Sequence, residues 1–162
     1  MKEINMDNPK SSFKARASLM DRLVDQHPAS HREARPLRTL SRKRLKESLS
    51  RDLEWLLNTR TSLPAAVFDE MDLTVIDYGI PDFGSCFTAN EEDHKRLAGR
   101  VKKAITVFEP RLKNVHVRLQ PVSGNEKVLK MVIEADMVVE NVRKPVSFLT
   151  VVQNGTVEIH EK

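Results

Sequence analysis

The feature that most constrains the fold lies at residues 101–119, where an apolar helix pattern stops and an alternating strand pattern begins. Pro110 disfavours a helical conformation at Glu109, so the helix is expected to end there. Beyond this point apolar and polar residues alternate, as they do along a strand with one buried face. A core must therefore form between a helix and a sheet that follow each other directly. Five apolar residues precede the stop at helical spacing and three alternate after it: Leu97, Val101, Ala104, Ile105 and Phe108, then Val115, Val117 and Leu119.

The last third of the sequence predicts an antiparallel β-meander. Residues 146–152 alternate, and Asn154-Gly155 predicts a two-residue hairpin to a returning strand at 156–160. We expect that strand at the sheet edge, where charged side chains either protect it from aggregation or a partner adds a strand. Helices followed by a meander predict an α+β domain with helices packed on one face of a mostly antiparallel four-stranded sheet. In the preceding strand, 127–139, one alternate set should face the core: Leu129, Met131, Ile133, Ala135 and Met137.

Two longer helices are predicted before the meander. In the second, Thr88 is expected to be the N-cap and Glu91 to complete a capping box. In the first, at about residues 40–59, Trp55 is assigned to the core, with an anchor for a partner as the alternative. The apolar face of that first helix is formed by leucines three to four residues apart: Leu45, Leu49, Leu53, Leu56 and Leu57.

The N-terminal region is predicted to lie outside the main domain. Residues 1–17 are polar and basic, and we expect them to be disordered when unbound. Leu19 and Leu23 then form an apolar stripe over two turns of helix, which is too short to be stable alone in water. The stripe therefore either packs on this chain or docks in the groove of a partner. We divide the chain into a flexible tail with a short amphipathic helix at 1–36 and a single α+β domain at 37–162.

Composition and charge exclude several classes of protein. A hydrophobic share of 40% is typical of a soluble chain with a core, and no apolar run is long enough to insert in a membrane. Residues 32–60 carry nine basic residues against four acidic ones, which accounts for the net charge of +4. No stretch interleaves basic and aromatic residues, so nucleic acid is not the expected partner. A lone Cys86 and the absence of a secretory signal fit a cytoplasmic protein.

Few residues have the spacing of a catalytic or metal site. The five histidines are scattered and form no ligand pair at helical spacing. The only dense carboxylate set lacks the offsets of a calcium loop, and a glycosidase would need two carboxylates at a defined separation. The sequence therefore predicts no cofactor, no metal and no enzyme. That carboxylate set comprises Asp69, Glu70, Asp72, Asp77 and Asp82.

The corner at Glu109-Pro110-Arg111 is instead the strongest candidate for binding a protein. Arginine presents a planar fork of donors suited to a carboxylate, and proline fixes the backbone beside it. We expect the guanidinium of Arg111 to be free to pair with a partner, the alternative being an internal clamp with Glu109. Residues 77–84 read as an ordered loop with apolar anchors that include Tyr78.

Four segments of the sequence together resemble the TssE family of type VI secretion baseplate wedge components. They are residues 18–23, 48–60 (with Leu-Leu-Asn-Thr-Arg), 77–83 (Asp-Tyr-Gly-Ile-Pro-Asp-Phe) and 108–112 (Phe-Glu-Pro-Arg-Leu). The family is also similar to a small wedge protein of contractile-phage baseplates. Its members have carried a lysozyme-like label, which no catalytic set in this sequence supports.

The resemblance implies a non-enzymatic structural role in the cytoplasm. Relatives assemble with TssF and TssG, and their likeness to a strand-exchanging sheath domain implies a template for the first ring of the contractile sheath. The Glu-Pro-Arg signature for wedge assembly falls on Glu109, Pro110 and Arg111. The same fold could also serve an adaptor or regulator. The partner-binding residues we predict are Glu109, Pro110, Arg111, Leu19, Leu23 and Tyr78.

Overall fold

The chain divides into two compact units, Met1–Ser48 and Leu49–Lys162. The computed structural model describes residues 15–23, 39–84, 90–122, 125–139, 142–153 and 155–161. The boundary between the units falls within a helix, and the division at residues 36 and 37 stays a prediction. No helix in these described ranges is long and apolar enough to cross a membrane.

In the first unit the structure describes residues 15–23 and 39–48, which form two very short strands, a short helix and the start of a longer one. Strand β1 (Ala15–Arg16) pairs antiparallel with β2 (Thr39–Leu40), and helix α1 (Leu19–Leu23) follows β1. Ala15 and Ala17 are buried. The expectation of disorder through residue 17 was therefore wrong for residues 15–17, because a ladder to a segment distant in sequence holds Ala15 and Arg16 and Ala17 is buried beside it.

Within residues 42–84 and 90–108, three helices and a 3₁₀ turn precede the sheet. Helix α2 (Arg42–Asn58) crosses the unit boundary and buries the predicted leucines, each at most 2% exposed. Helix α3 (Ala65–Glu70) and a 3₁₀ turn (Val75–Asp77) follow. Helix α4 (Glu91–Phe108) ends at Glu109 as predicted, because Pro110 follows.

The sheet is a meander in the order β3-β4-β5-β6, with every pair antiparallel. Its strands are β3 (Leu112–Val122), β4 (Asn125–Val139), β5 (Val142–Gln153) and β6 (Thr156–Glu161). The alternate apolar residues of β4 from Leu129 to Met137 are all buried, so one face of the sheet is core, and α4 packs against β3. Gln153 pairs with Thr156 across the predicted hairpin. The α+β prediction is confirmed.

Two local predictions were wrong. Trp55 is 49% exposed rather than buried, and the Arg51 guanidinium lies 5.3 Å from its ring centroid. Two residues along a helix turn the side chain by about 200°, so Trp55 points away from the face that holds Leu53. The N-cap of α4 is Asn90, whose side chain accepts from the Glu92 amide at 3.0 Å. The predicted N-cap Thr88 lies outside the described residues, and the helix begins later than expected.

Candidate functional site

The Glu-Pro-Arg corner contains a cluster of ion pairs whose members all belong to this chain. The Arg111 guanidinium donates from Nε to Glu109 Oε1 at 2.6 Å and from Nη2 to Glu109 Oε2. The same Nη2 donates to Asp52 Oδ2 at 2.6 Å. Asp52 also accepts from Arg51 at 3.1 Å. The expectation that the Arg111 guanidinium is free was wrong, and the internal clamp is the arrangement observed.

Burial makes this cluster energetically important. The side chains of Glu109, Arg111 and Asp52 are 7%, 23% and 19% exposed. Burial alone lowers the pKa of Arg111, but hydrogen bonds and charge attraction from Glu109 and Asp52 outweigh it and raise the pKa above its usual value. The guanidinium therefore stays charged and acts as a bridge between the C-terminal end of α4 and the middle of α2.

Two other predicted site residues lie at the edge of this cluster. The Tyr78 ring meets the Phe108 ring edge-to-face at a centroid distance of 5.3 Å. Burial, followed by the charges of Asp52 and Glu109, raises the pKa of Tyr78. Tyr78 is nonetheless 38% exposed, and Pro110 is exposed in the turn. We call Asp52, Tyr78, Glu109, Pro110 and Arg111 the corner site.

The loop that carries Tyr78 is fixed to the end of α2 by backbone contacts. The Ile80 amide donates to the Thr59 carbonyl at 3.0 Å, and the Thr61 amide donates to the Ile80 carbonyl at 3.1 Å. Gly79 has a φ of +117°, and a Cβ there would lie 2.5 Å from the Thr59 carbonyl oxygen. Only glycine permits this approach.

The same end of α2 also holds the C-terminal hairpin. The Asn58 side chain donates to the Val157 carbonyl at 2.9 Å and accepts from the Val157 amide at 2.8 Å. Arg60 donates to the Gly155 carbonyl, and its guanidinium lies 4.3 Å from the Phe83 ring centroid. Burial lowers the pKa of Arg60, and the charge of Asp82 opposes this effect. The Asn-Thr-Arg motif thus joins loop, helix and hairpin.

We predict that Asn58→Ala destabilises the fold by about 1–3 kcal/mol, because two backbone groups of Val157 lose their partner. Urea denaturation measures the change. Thr106→Ala is the matched control, since the Thr106 hydroxyl bonds only to the exposed Lys102 carbonyl within the same helix. It should change stability by less than about 0.5 kcal/mol. Equal losses in the two variants would contradict the role assigned to Asn58.

Sequence reasoning missed Asp52 and Asn58 as site residues. Their partners lie 59 and 99 positions away, a separation that no local pattern encodes. The available signal was their place within the motif segment 48–60 that also carries the Leu-Leu-Asn-Thr-Arg block.

Three members of the central carboxylate set accept hydrogen bonds from within the chain. The Asp69 carboxylate accepts a hydrogen bond from the Arg100 guanidinium at 2.8 Å, and this bond is the main reason why the pKa of Asp69 is lowered. A general acid would need a raised pKa instead. Asp77 accepts from the amide and hydroxyl of Thr74, each at 2.8 Å. Asp82 accepts from the Gly84 amide at 3.1 Å. Within the part of the chain that the structure describes, no three acidic, histidine or cysteine side chains are grouped to hold a metal ion.

Leu19 and Leu23, the remaining predicted site residues, belong to the first unit. They are 67% and 69% exposed on α1. The Ser18 hydroxyl and the Ser48 hydroxyl each donate to Asp21 Oδ2 at 2.8 Å, which orients the helix. The two leucines therefore do not form part of a core in the structure, although their binding role stays a prediction.

The structure thus presents a small α+β fold whose signature charges are paired internally, beside an exposed tyrosine and proline. Comparison with known families matches residues 43–142 to the family described as "Baseplate wedge protein gp25". The chain belongs to this family. It is therefore a structural baseplate component, and the resemblance found in the sequence is confirmed at that level.

Solved structures add a comparison of fold. A structure of the baseplate complex from the type VI secretion system is 20% identical, with a TM-score of 0.50, and the match covers 68% of this chain and 96% of that one. A putative tail lysozyme from Geobacter sulfurreducens is also 20% identical, with a TM-score of 0.45 over 68% of this chain and 91% of that one. The second likeness is too distant to carry an argument. No curated protein matches the chain.

Proposed function

We propose that this chain is a non-enzymatic wedge subunit of a cytoplasmic type VI secretion baseplate and that it binds TssF and TssG. The observation that carries the proposal is that the family match at 43–142 includes every residue of the corner site. The solved type VI baseplate complex shares its fold, which supports the choice of machine.

The corner site supports partner binding through a shaped surface rather than through an open charge. The clamp of Glu109, Arg111 and Asp52 fixes the turn that presents Pro110, and it lies beside Tyr78. A rigid tyrosine offers contact area at a low cost in side-chain entropy. We therefore assign Arg111 the role of fixing the turn, whereas Tyr78 and Pro110 contact the partner directly.

Co-elution tests the proposal against the alternative of an adaptor or regulator on the same fold. The purified chain is mixed with purified TssF and TssG and separated by size. A wedge subunit elutes with both proteins in one complex of fixed stoichiometry. A regulator on this fold stays apart from them, and that result would contradict the proposal.

A lysozyme-like hydrolase is the second alternative, and a peptidoglycan turnover assay tests it. The direction of the Asp69 pKa and the internal bonds of Asp77 and Asp82 favour no activity. We expect turnover equal to the buffer blank. Turnover that disappears in an Asp69→Asn variant would contradict the non-enzymatic assignment.

We also propose that the β6 edge receives or donates a strand when the first sheath ring forms. β6 is an edge strand. Its Val157 amide donates to the Asn58 side chain, so this amide points away from β5. Backbone amides alternate along an antiparallel strand, so the Ile159 amide points to the same outer side. Because the Asn58 side chain already bonds the outward amide and carbonyl of Val157, the part of the β6 edge that we propose for strand addition begins at Ile159.

Ile159→Pro should leave wedges assembled but make sheaths rare, because proline removes an outward hydrogen-bond donor that the domain does not use. Fluorescent sheath counts in cells measure the effect, with wedge co-purification measured in parallel. Ile159→Ala is the matched control, since it shortens the side chain and keeps the amide. Normal sheath numbers in the proline variant would show that strand addition at this edge does not template the ring.

The double substitution Leu19→Ser with Leu23→Ser should weaken complex formation without lowering the melting temperature. Both side chains are exposed, so their loss should change the free energy of unfolding by less than about 0.5 kcal/mol. Co-elution and thermal denaturation are measured on the same preparation. A lower melting temperature of the isolated chain would show that the two leucines pack within the chain instead.

A further inference from the structure

The most exposed large apolar side chains in the described part of the chain are two neighbours, Val75 and Ile76. They are 86% and 87% exposed and occupy the 3₁₀ turn Val75–Asp77. Single exposed aliphatic residues are ordinary on protein surfaces, but two adjacent ones with almost no cover are not explained by the fold. We call Val75 and Ile76 the apolar tip.

Hydrogen bonds between Thr74 and Asp77, the residues on either side of the apolar tip, hold the tip rigidly. The Asp77 carboxylate accepts from both the amide and the hydroxyl of Thr74, and the Asp77 amide donates to the Thr74 carbonyl at 3.0 Å. Asp77 is only 6% exposed, so its carboxylate is screened from water, while Thr74 at the other side of the ring is exposed. The turn therefore presents both side chains in one fixed arrangement.

The segment before the tip is anchored as well. Lys103 Nζ donates to the carbonyls of Phe68, Asp69 and Met71 at 2.7, 3.0 and 2.8 Å, which satisfies the C-terminal end of α3. The Phe68 side chain is fully buried. A surface that is ordered before binding loses little conformational entropy when a partner covers it.

The charges beside the tip indicate the chemistry of that partner. Glu70 and Asp72 are exposed, and neither is paired with a cation among the residues described. Asp69, by contrast, is paired with Arg100. Even with the Lys103 ammonium at the Met71 carbonyl, the carboxylates of Glu70 and Asp72 leave the segment just before the tip with a net negative charge, on a chain whose net charge is +4. A complementary surface would have basic side chains around an apolar pocket.

We propose that the apolar tip inserts into an apolar pocket with a basic rim on a neighbouring baseplate subunit. The inference rests on the proposed function, because it assigns the tip to a contact within the wedge. It adds Val75 and Ile76, which precede Tyr78 in the same turn region, to the predicted partner-binding residues. Glu70 and Asp72 orient the contact and Ile76 supplies most of the buried apolar area.

Binding of the purified chain to an immobilised complex of TssF and TssG tests the inference. Ile76→Asp should weaken binding roughly 10–100-fold, because an isoleucine that the partner buries in the complex is replaced by a charge that must be desolvated. Its melting temperature should equal that of the wild type, since the side chain has almost no contacts to lose. Val142→Asp is the matched control on an aliphatic residue that is 47% exposed elsewhere, and it should bind normally.

The double variant Glu70→Lys with Asp72→Lys tests the basic rim. It should weaken binding about fivefold at low salt, and the difference should shrink as salt is raised. Unchanged or tighter binding by this variant would overturn the assignment of a basic partner surface.

The remaining outcomes separate this inference from the function on which it rests. If the wild type binds and Ile76→Asp binds equally well, the tip is not covered in the wedge, and the proposed function stands. If the wild type itself does not bind, the proposed function fails and the inference fails with it. A dimer of the isolated chain that Ile76→Asp dissociates would also overturn the inference, because the occupant would be a second copy.

Discussion

Replacing Arg111 with alanine should destabilise the folded chain by about 3–5 kcal/mol, because the substitution leaves two acids without their shared cation. Glu109 is almost fully buried, so water cannot solvate its stranded carboxylate, whereas Asp52 keeps its contact with Arg51 at 3.1 Å. For a chain of this size the loss corresponds to a fall in melting temperature of roughly 10 °C. Thermal and urea denaturation of the purified variant measure it.

Two further variants make the Arg111 result specific. Arg118→Ala removes an arginine from a pair with Glu134 in which both side chains are well exposed, at 63% and 46%, and it should cost less than about 1 kcal/mol. Arg111→Lys keeps the charge but loses the fork that reaches both acids, so we expect an intermediate loss. If Arg111→Ala is as stable as Arg118→Ala, the cluster does not hold the corner together.

This expectation changes how a loss of wedge assembly should be interpreted. If Arg111 contacted a partner directly, the alanine variant would stay folded and only binding would suffer. The geometry instead predicts that stability and assembly decline together. Pro110→Ser removes an exposed ring but also the residue that ends α4, so its stability is measured beside its binding, and a folded variant that no longer binds identifies a partner contact.

Gly79→Ala should be the second strongly destabilising substitution, at about 2–6 kcal/mol. A φ of +117° is strained for any residue with a side chain, which contributes about 1–3 kcal/mol. The new Cβ would also lie 2.5 Å from the Thr59 carbonyl oxygen and 2.9 Å from its carbon, and relieving that overlap adds about 1–3 kcal/mol. The atoms involved are backbone, so they cannot rotate away.

Gly99→Ala should stabilise the protein, in contrast to Gly79→Ala. A Cβ at Gly99 meets nothing within 4 Å on helix α4, so alanine should stabilise the chain by about 0.5–1 kcal/mol. Denaturation midpoints of the two variants should therefore move in opposite directions from the wild type. If Gly79→Ala matches the wild type, the loop does not approach α2 as described.

The parts of the fold that the sequence predicted are those with a local period. The inward residues of β4 follow a period of two, the leucines of α2 follow the helical period, and Asn154-Gly155 encodes a hairpin by its own backbone preference. Trp55, which was assigned to the core, is exposed because it lies about 200° around the helix from Leu53.

The parts that the sequence did not predict depend on long-range pairing. Nothing near Arg111 shows that Asp52 will meet it, and nothing near Val157 shows that Asn58 will hold its amide and carbonyl. The ladder of β1 with β2 is only two residue pairs long, too short to leave a pattern. At α4, Thr88 and Asn90 are both good capping residues, and sequence preference does not separate them.

The most direct test of the central claim is native co-purification, in which this chain is tagged in cells that assemble active secretion systems and its partners are identified by mass. We expect TssF and TssG to be recovered with the wild type in a constant ratio, and to be lost with the Arg111→Ala variant. Recovery of the wild-type chain without any baseplate subunit would contradict the assignment as a wedge component.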